Sequence, residues 1–208
     1  MTAEGIDQLI EALAAIVRQA RDNHDRVGYF AALYRQVTVE VRDAIHAGLF
    51  DDGARMDRFD TVFGDRYFAA YESWRRDRTG PRCWREAFGH LDNRDTIIVQ
   101  HLVLGVNAHI NLDLAIAAAD TCPGEAIHGL RRDFMLINDI LSRVLLLVQD
   151  AVGDVSPYIW LLDRFGGRAD ERILDFSIRR SRQEAWQNAV LLAGQSGVER
   201  AETIDRLD

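Results

Sequence analysis

Two histidines and an aspartate in the stretch Gln100–Leu114, "QHLVLGVNAHINLDL", carry the residue types for acid–base chemistry. His109 and Asp113 are spaced i,i+4, which brings two side chains together on a helix. A carboxylate there can orient an imidazole that then takes or gives a proton. The same stretch holds Gln100, Asn107 and Asn111 among Leu, Val, Ile and Ala. A polar group buried without a partner costs about 1–3 kcal/mol, so six of them on an apolar helix call for a reason.

At about 100° per residue, His101, His109 and Asp113 fall on one edge, near 0°, 80° and 120°. Gln100, Asn107 and Asn111 fall on another. Gly105 leaves the backbone open beside His101, for a ligand or a neighbouring helix. Three readings follow: hydrogen bonds that only lock helix packing, a His109–Asp113 proton-transfer site with His101 as second acid or ligand, or a metal site. The metal reading groups His101, His109 and Asp113 as a two-His-one-carboxylate set for a divalent ion such as iron or zinc.

Other candidates lie on neighbouring segments. "RRDFMLINDILS" sets Asp133, Asn138 and Asp139 among apolar residues, with Asp133 or Asn138 expected to face the His101/His109 edge. Tyr67 and Trp84 are candidates to line an aromatic pocket for a flat apolar ligand. Arg179, Arg180 and Arg182 could reach a substrate carboxylate, or Asp113 or Asp133.

These residues must be positioned by helices. Apolar residues recur at helical spacing throughout, and strand alternation is nearly absent. The pattern predicts helices near 4–23, 27–48, 54–76, 81–88, 94–119, 125–150, 157–165 and 169–194, then a short frayed C-terminal one. Pro81, Pro123 and Pro157 each sit at a helix boundary. The expectation is all-α: one single-domain helical bundle of about seven helices over 1–208, with its core at about 27–195. The pocket is expected between the helices 94–119 and 125–150.

The formal net charge of −8 argues against nucleic acid as a partner, since phosphate binding needs a basic face. All 25 basic residues are Arg, as GC-rich coding favours. Schiff-base, P-loop and Ser–Lys chemistries are thereby excluded. Gly-x-Gly-x-x-Gly and Gly-x-Ser-x-Gly motifs are missing. Two cysteines, Cys83 and Cys122, make no disulfide framework and read as reduced thiols. With no signal peptide and no unbroken apolar run of membrane length, the expected location is cytoplasmic, with no membrane partner.

The chain resembles an uncharacterised bacterial family, a domain of unknown function. The resemblance rests on "LGVNAHINLDL" (Leu104–Leu114), with "YRQVT" (Tyr34–Thr38), "MDRFDTVFGDRYF" (Met56–Phe68), Trp84, "DFMLIN" (Asp133–Asn138) and "EAW" (Glu184–Trp186). It implies an all-helical single domain and carries no catalytic roles.

The expected function is a small-molecule enzyme using acid–base chemistry, a cyclisation, isomerisation, elimination or hydrolysis in secondary metabolism. His109 is the base or acid and Asp113 orients it. Asn107, Asn111, Asp133 and Asn138 hold the substrate or the site. No cofactor is expected unless the metal reading holds. The expected partner is a small-molecule substrate, with a homodimer as an option. The competing class is a non-catalytic binding or scaffold protein.

Overall fold

The computed structural model describes residues 2–93, 95–155 and 168–208, the side chains of 145–155 and 168–176 excepted. Helices form the whole framework, and no strand occurs among the described residues. They are α1 (Ile6–Asp22), α2 (Val27–His46), α3 (Gly53–Asp77), α4 (Arg82–Gly89) and α5 (Ile98–Ala108). A π-helical turn (His109–Asp113) joins α5 to α6 (Leu114–Thr121), and α7 (Ile127–Val155), α8 (Arg168–Ala193) and α9 (Gly197–Leu207) follow. The helix expected at 157–165 lies outside the described residues.

The ends of these helices are fixed by recognisable chemistry. Asp52 caps α3, its side chain accepting from Arg55 N at 2.9 Å. Other caps come from distant elements. Asp57 of α3 accepts from Ile6 N at the start of α1 (2.9 Å). Asp208 accepts from Arg82 N and Cys83 N at the start of α4 (2.7 and 2.9 Å). The C-terminal helix is therefore tied to the body rather than frayed, and its Thr203 is buried. Gln100 explains itself as a cap: its Oε1 accepts from Ile97 N at 2.9 Å.

The core runs through all the long helices. Leu9 and Leu13 of α1 are fully buried, although α1 precedes the stretch expected to hold the core. Phe59, Tyr67 and Phe68 of α3, Ala115 and Ala117 of α6, and Phe134 of α7 share that burial. The segment Ile98–Thr121 is long and apolar enough to cross a membrane by composition alone, and 67% of its most apolar window is buried inside the protein, as in a core helix. Gly105 faces α2. A Cβ there would meet the Phe30 ring at 2.5 Å, so the missing side chain admits a neighbouring helix, not a ligand.

Candidate functional site

The π turn sits at the centre of the site. In it the Leu114 N–H bonds back to His109 O, one residue further than in an α-helix. Such turns insert a residue and recur at functional sites. Here the turn begins at His109 and ends at Asp113, both buried. The His109 Nδ1 to Asp113 Oδ2 distance is 3.1 Å.

Asp113 is saturated. Its Oδ2 also accepts from Trp84 Nε1 at 2.7 Å, and its Oδ1 from Arg66 Nε at 2.9 Å. A carboxylate surrounded by donors accepts from a protonated Nδ1, and that places the lone pair of neutral His109 on Nε2. Nε2 has no hydrogen-bond partner and is buried. Burial lowers the His109 pKa, and the Asp113 bond opposes this only in part. The imidazole is thereby kept neutral, the form of a base.

Aromatic rings hold it in place. Phe63 stacks on the imidazole with centroids 3.5 Å apart and planes 9° apart. Tyr34 meets it edge-on at 4.5 Å. Phe30, Trp84 and Tyr67 complete the cage at 5.8, 5.9 and 6.3 Å.

His109 also lines a cavity of about 70 Å³. That is more than a single water needs. Its walls are mostly aliphatic and aromatic, from α2 (Leu33, Val37, Val41), α3 (Phe59, Phe63), the α5–α6 segment (Val106, Ile110, Leu114), α7 (Ile137, Leu141) and α8 (Ile178). So the cavity adjoins both helices named from sequence, and α2, α3 and α8 close it. Four polar side chains share the lining: Tyr34, Asp60, His109 and Arg182.

Three of the four present an unsatisfied atom. Tyr34 Oη, Asp60 Oδ2 and His109 Nε2 are buried with no partner among the described residues. Their residues are each 4% exposed. Burial raises the Tyr34 hydroxyl pKa well above its usual value, so it stays a donor. Burial, and secondarily the Asp57 charge, pushes the Asp60 carboxyl up to about 7, with Arg182 pulling it back.

Arg182 is 2% exposed. Burial lowers its guanidinium to about 9, opposed by Asp60. Its Nε donates to Asn138 Oδ1 and its Nη2 to Phe134 O, both at 2.6 Å. The guanidinium lies over the Phe134 ring, 4.6 Å from its centroid. Asn138 therefore positions Arg182 and does not line the cavity.

Several expected members stand elsewhere. His101 is buried, yet its neighbours are Arg26 (Nη1 to Nε2, 3.5 Å) and Tyr29 (6.2 Å between rings). It lines a separate space of about 10 Å³ with Trp84 and Gly105. No group of three or more His, Cys, Asp or Glu side chains is placed to share a metal ion among the described residues. His101, His109 and Asp113 thus do not form the three-ligand set. His101 precedes His109 on regular α-helix by about 12 Å of helical rise, at 1.5 Å per residue, too far for one ion to bridge.

Asp133 faces away from the histidines. Its carboxylate accepts from Asp51 N (2.8 Å), Asp52 N (3.2 Å) and Arg55 Nη2 (2.8 Å), which fixes the turn before α3. Asn107 and Asn111 are exposed, on the outer face of the segment. Tyr67 and Trp84 back the His109 cage but do not line the cavity. The carboxylates of Asp113 and Asp133 are taken by α3 arginines, Arg66 and Arg55, not by those of α8.

Sequence reasoning missed Asp60 and Tyr34 as site residues. Asp60 carried one usable signal: it follows Phe59 and precedes Phe63 on the apolar face of α3.

No curated protein and no solved structure matches the chain. A sequence profile does match residues 6–208, nearly the whole chain, and on it the protein belongs to the Family of unknown function (DUF5995).

Proposed function

We propose that the protein is an enzyme that moves a proton on a compact, largely apolar small molecule bound in the cavity beside the π turn. His109 Nε2 is the base, Asp113 fixes its tautomer, and Tyr34 Oη is a donor to an oxygen of the substrate. Asp60 and Arg182 set the charge of the chamber. The observation that carries this reading is the His109 imidazole, held by Asp113 through Nδ1 while Nε2 is buried and unpartnered at a cavity wall. An unpartnered buried nitrogen is not enough by itself, since His101 Nδ1 lacks a partner too; His109 differs in that Tyr34 Oη and Asp60 Oδ2 stand unpartnered on the same cavity wall. A base needs one ring nitrogen left for substrate, in a dry site where its proton affinity is not diluted by water.

The chemistry that fits is proton abstraction followed by isomerisation, elimination or ring closure, with Tyr34 stabilising developing negative charge. The test is turnover of small acids, ketones and lactones in a metabolite extract, followed by mass spectrometry with wild-type protein and with His109→Gln. Circular dichroism checks that the variant is folded. Conversion by wild type alone supports the assignment. Conversion by both proteins removes His109 as the base. Binding without conversion by either turns the site into a binding pocket, the reading that the apolar walls favour second.

A further inference from the structure

The cavity holds a cation that no buried side chain neutralises by contact among the described residues. Arg182 makes its two bonds to neutral acceptors, Asn138 Oδ1 and Phe134 O. Those use two of the five N–H donors of a guanidinium. No carboxylate lies within ion-pair distance of it among the described residues. Asp60, the acid nearest in influence, shares the cavity wall with it and keeps one oxygen unpartnered. A buried charge left in this way is costly unless a counter-charge arrives.

Resting on the reading of the cavity as a substrate site, we propose that its ligand is a compact apolar monocarboxylate, whose carboxylate pairs with Arg182 and receives a hydrogen bond from protonated Asp60. The aliphatic and aromatic walls take the hydrocarbon body, and His109 and Tyr34 face it. The charges balance. With the cavity empty, an ionised Asp60 offsets Arg182 through space. With an anion bound, Asp60 takes up a proton and the anion replaces it.

The groups that face Asp60 agree with this exchange. Tyr34 of α2 and His109 of the π turn are neutral, Asp57 of its own helix disfavours ionisation, and Arg182 of α8 favours it. Burial brings the carboxyl to about 7, so the bound proton is exchangeable near neutrality. Anion binding is therefore linked to proton uptake by Asp60.

The probes are hexanoate and benzoate, against hexan-1-ol and benzyl alcohol of matching shape, titrated calorimetrically into the full chain at pH 6 and 8. The acids are expected to bind at least about tenfold more tightly than the alcohols, tenfold being the step of one pKa unit in a binding constant. Repeating the pH 8 titration in buffers of different ionisation heat is expected to show uptake of close to one proton per acid bound. Acid affinity is expected to fall by about tenfold from pH 6 to pH 8.

Arg182→Met is expected to erase the preference for acids, and Asp60→Asn to erase the proton uptake while retaining acid binding. Alcohols binding as well as acids overturns the proposal, and so does acid binding in wild type with no proton uptake. No binding of either acid at millimolar concentration overturns it too. These wild-type measurements stand even where a variant fails to fold. Acid binding that survives in His109→Gln separates this proposal from the base assignment: either can fail alone.

Discussion

Asp133 and Asp60 are both aspartates buried between helices, one on α7 and one on α3, and the protein treats them oppositely. Asp133 is completely enclosed, and three donors converge on it. Asp60 is 4% exposed, with one oxygen facing a cavity and unpartnered. A carboxylate with all its lone pairs answered by backbone N–H and an arginine is a structural clamp. One left unanswered costs stability, and a protein keeps it where a ligand repays the cost. Asp113 belongs with Asp133 in being saturated, but it passes its influence through His109 to the same cavity. Unanswered buried atoms also occur elsewhere, at Tyr67 Oη, His101 Nδ1 and Arg55 Nε; what marks the site is that three of them, on Tyr34, Asp60 and His109, share one cavity wall.

That contrast predicts its largest effect at the clamp. Asp133→Ala leaves Arg55 and two backbone donors without their acceptor and is expected to destabilise by about 3–5 kcal/mol. Chemical denaturation checks it. A loss under about 1 kcal/mol would show that water satisfies the turn before α3, and the clamp reading would fall.

The second effect is in Asp60 and depends on pH. Its folded pKa, about 7, is raised from 3.8, so the folded protein binds the extra proton between those values. Its contribution is fully present below about pH 4 and is lost as pH rises through 7. The stability of wild type relative to Asp60→Asn is therefore expected to fall from pH 4 to pH 7, by on the order of 2–4 kcal/mol. His109 works the other way. Its pKa is lowered by burial, so its contribution is present above about 6.5 and is lost on acidification. Because His109 is present in both proteins, the comparison cancels it. A flat difference would mean that Asp60 is solvated, and the distinction from Asp133 would vanish.

The helices themselves are legible in the sequence because apolar residues at 3.6 spacing, prolines and glycines write their own boundaries. So is the His109–Asp113 pair, since i,i+4 neighbours meet in either helical form. The π turn is not, because no residue type demands it. Asp60 is hidden by its neighbours. The segment "MDRFDTVFGDRYF" contains three aspartates that look alike as solvated helix residues. In the fold Asp57 caps α1, Asp65 accepts from Ala3 N at 2.9 Å, and only Asp60 turns to the cavity. Which acid meets which partner is decided by the packing of α1 and α2 on α3; the local signal, Asp60 between Phe59 and Phe63, marks only the buried face.

A third test lies between the extremes, at Asp113. Asp113→Asn keeps the volume but weakens the bonds from Arg66, Trp84 and His109. The expected cost is about 1.5–3 kcal/mol, typical of losing a hydrogen bond to a charged group. The decisive readout is the imidazole. Long-range 15N spectra are expected to show His109 protonated on Nδ1 in wild type and to lose that single tautomer in the variant. A wild-type ring protonated on Nε2 would put the donor, not the base, at the cavity.

The smallest effect tests the part of the motif that the fold turns outward. Gln100, Val103, Asn107 and Asn111 are all exposed, forming one outer face of the α5–α6 segment, while His101, His109 and Asp113 are buried. Two asparagines among Val, Ala, Ile and Leu suggest buried hydrogen-bond partners by their neighbours alone. Their side chains instead meet solvent, where a polar group costs nothing and supplies little. Asn107→Ala and Asn111→Ala are each expected to shift stability by less than about 0.5 kcal/mol and to leave hexanoate binding unchanged. A larger loss in either property would give the outer face a contact of its own, and the cavity would no longer account for the polar residues of the segment.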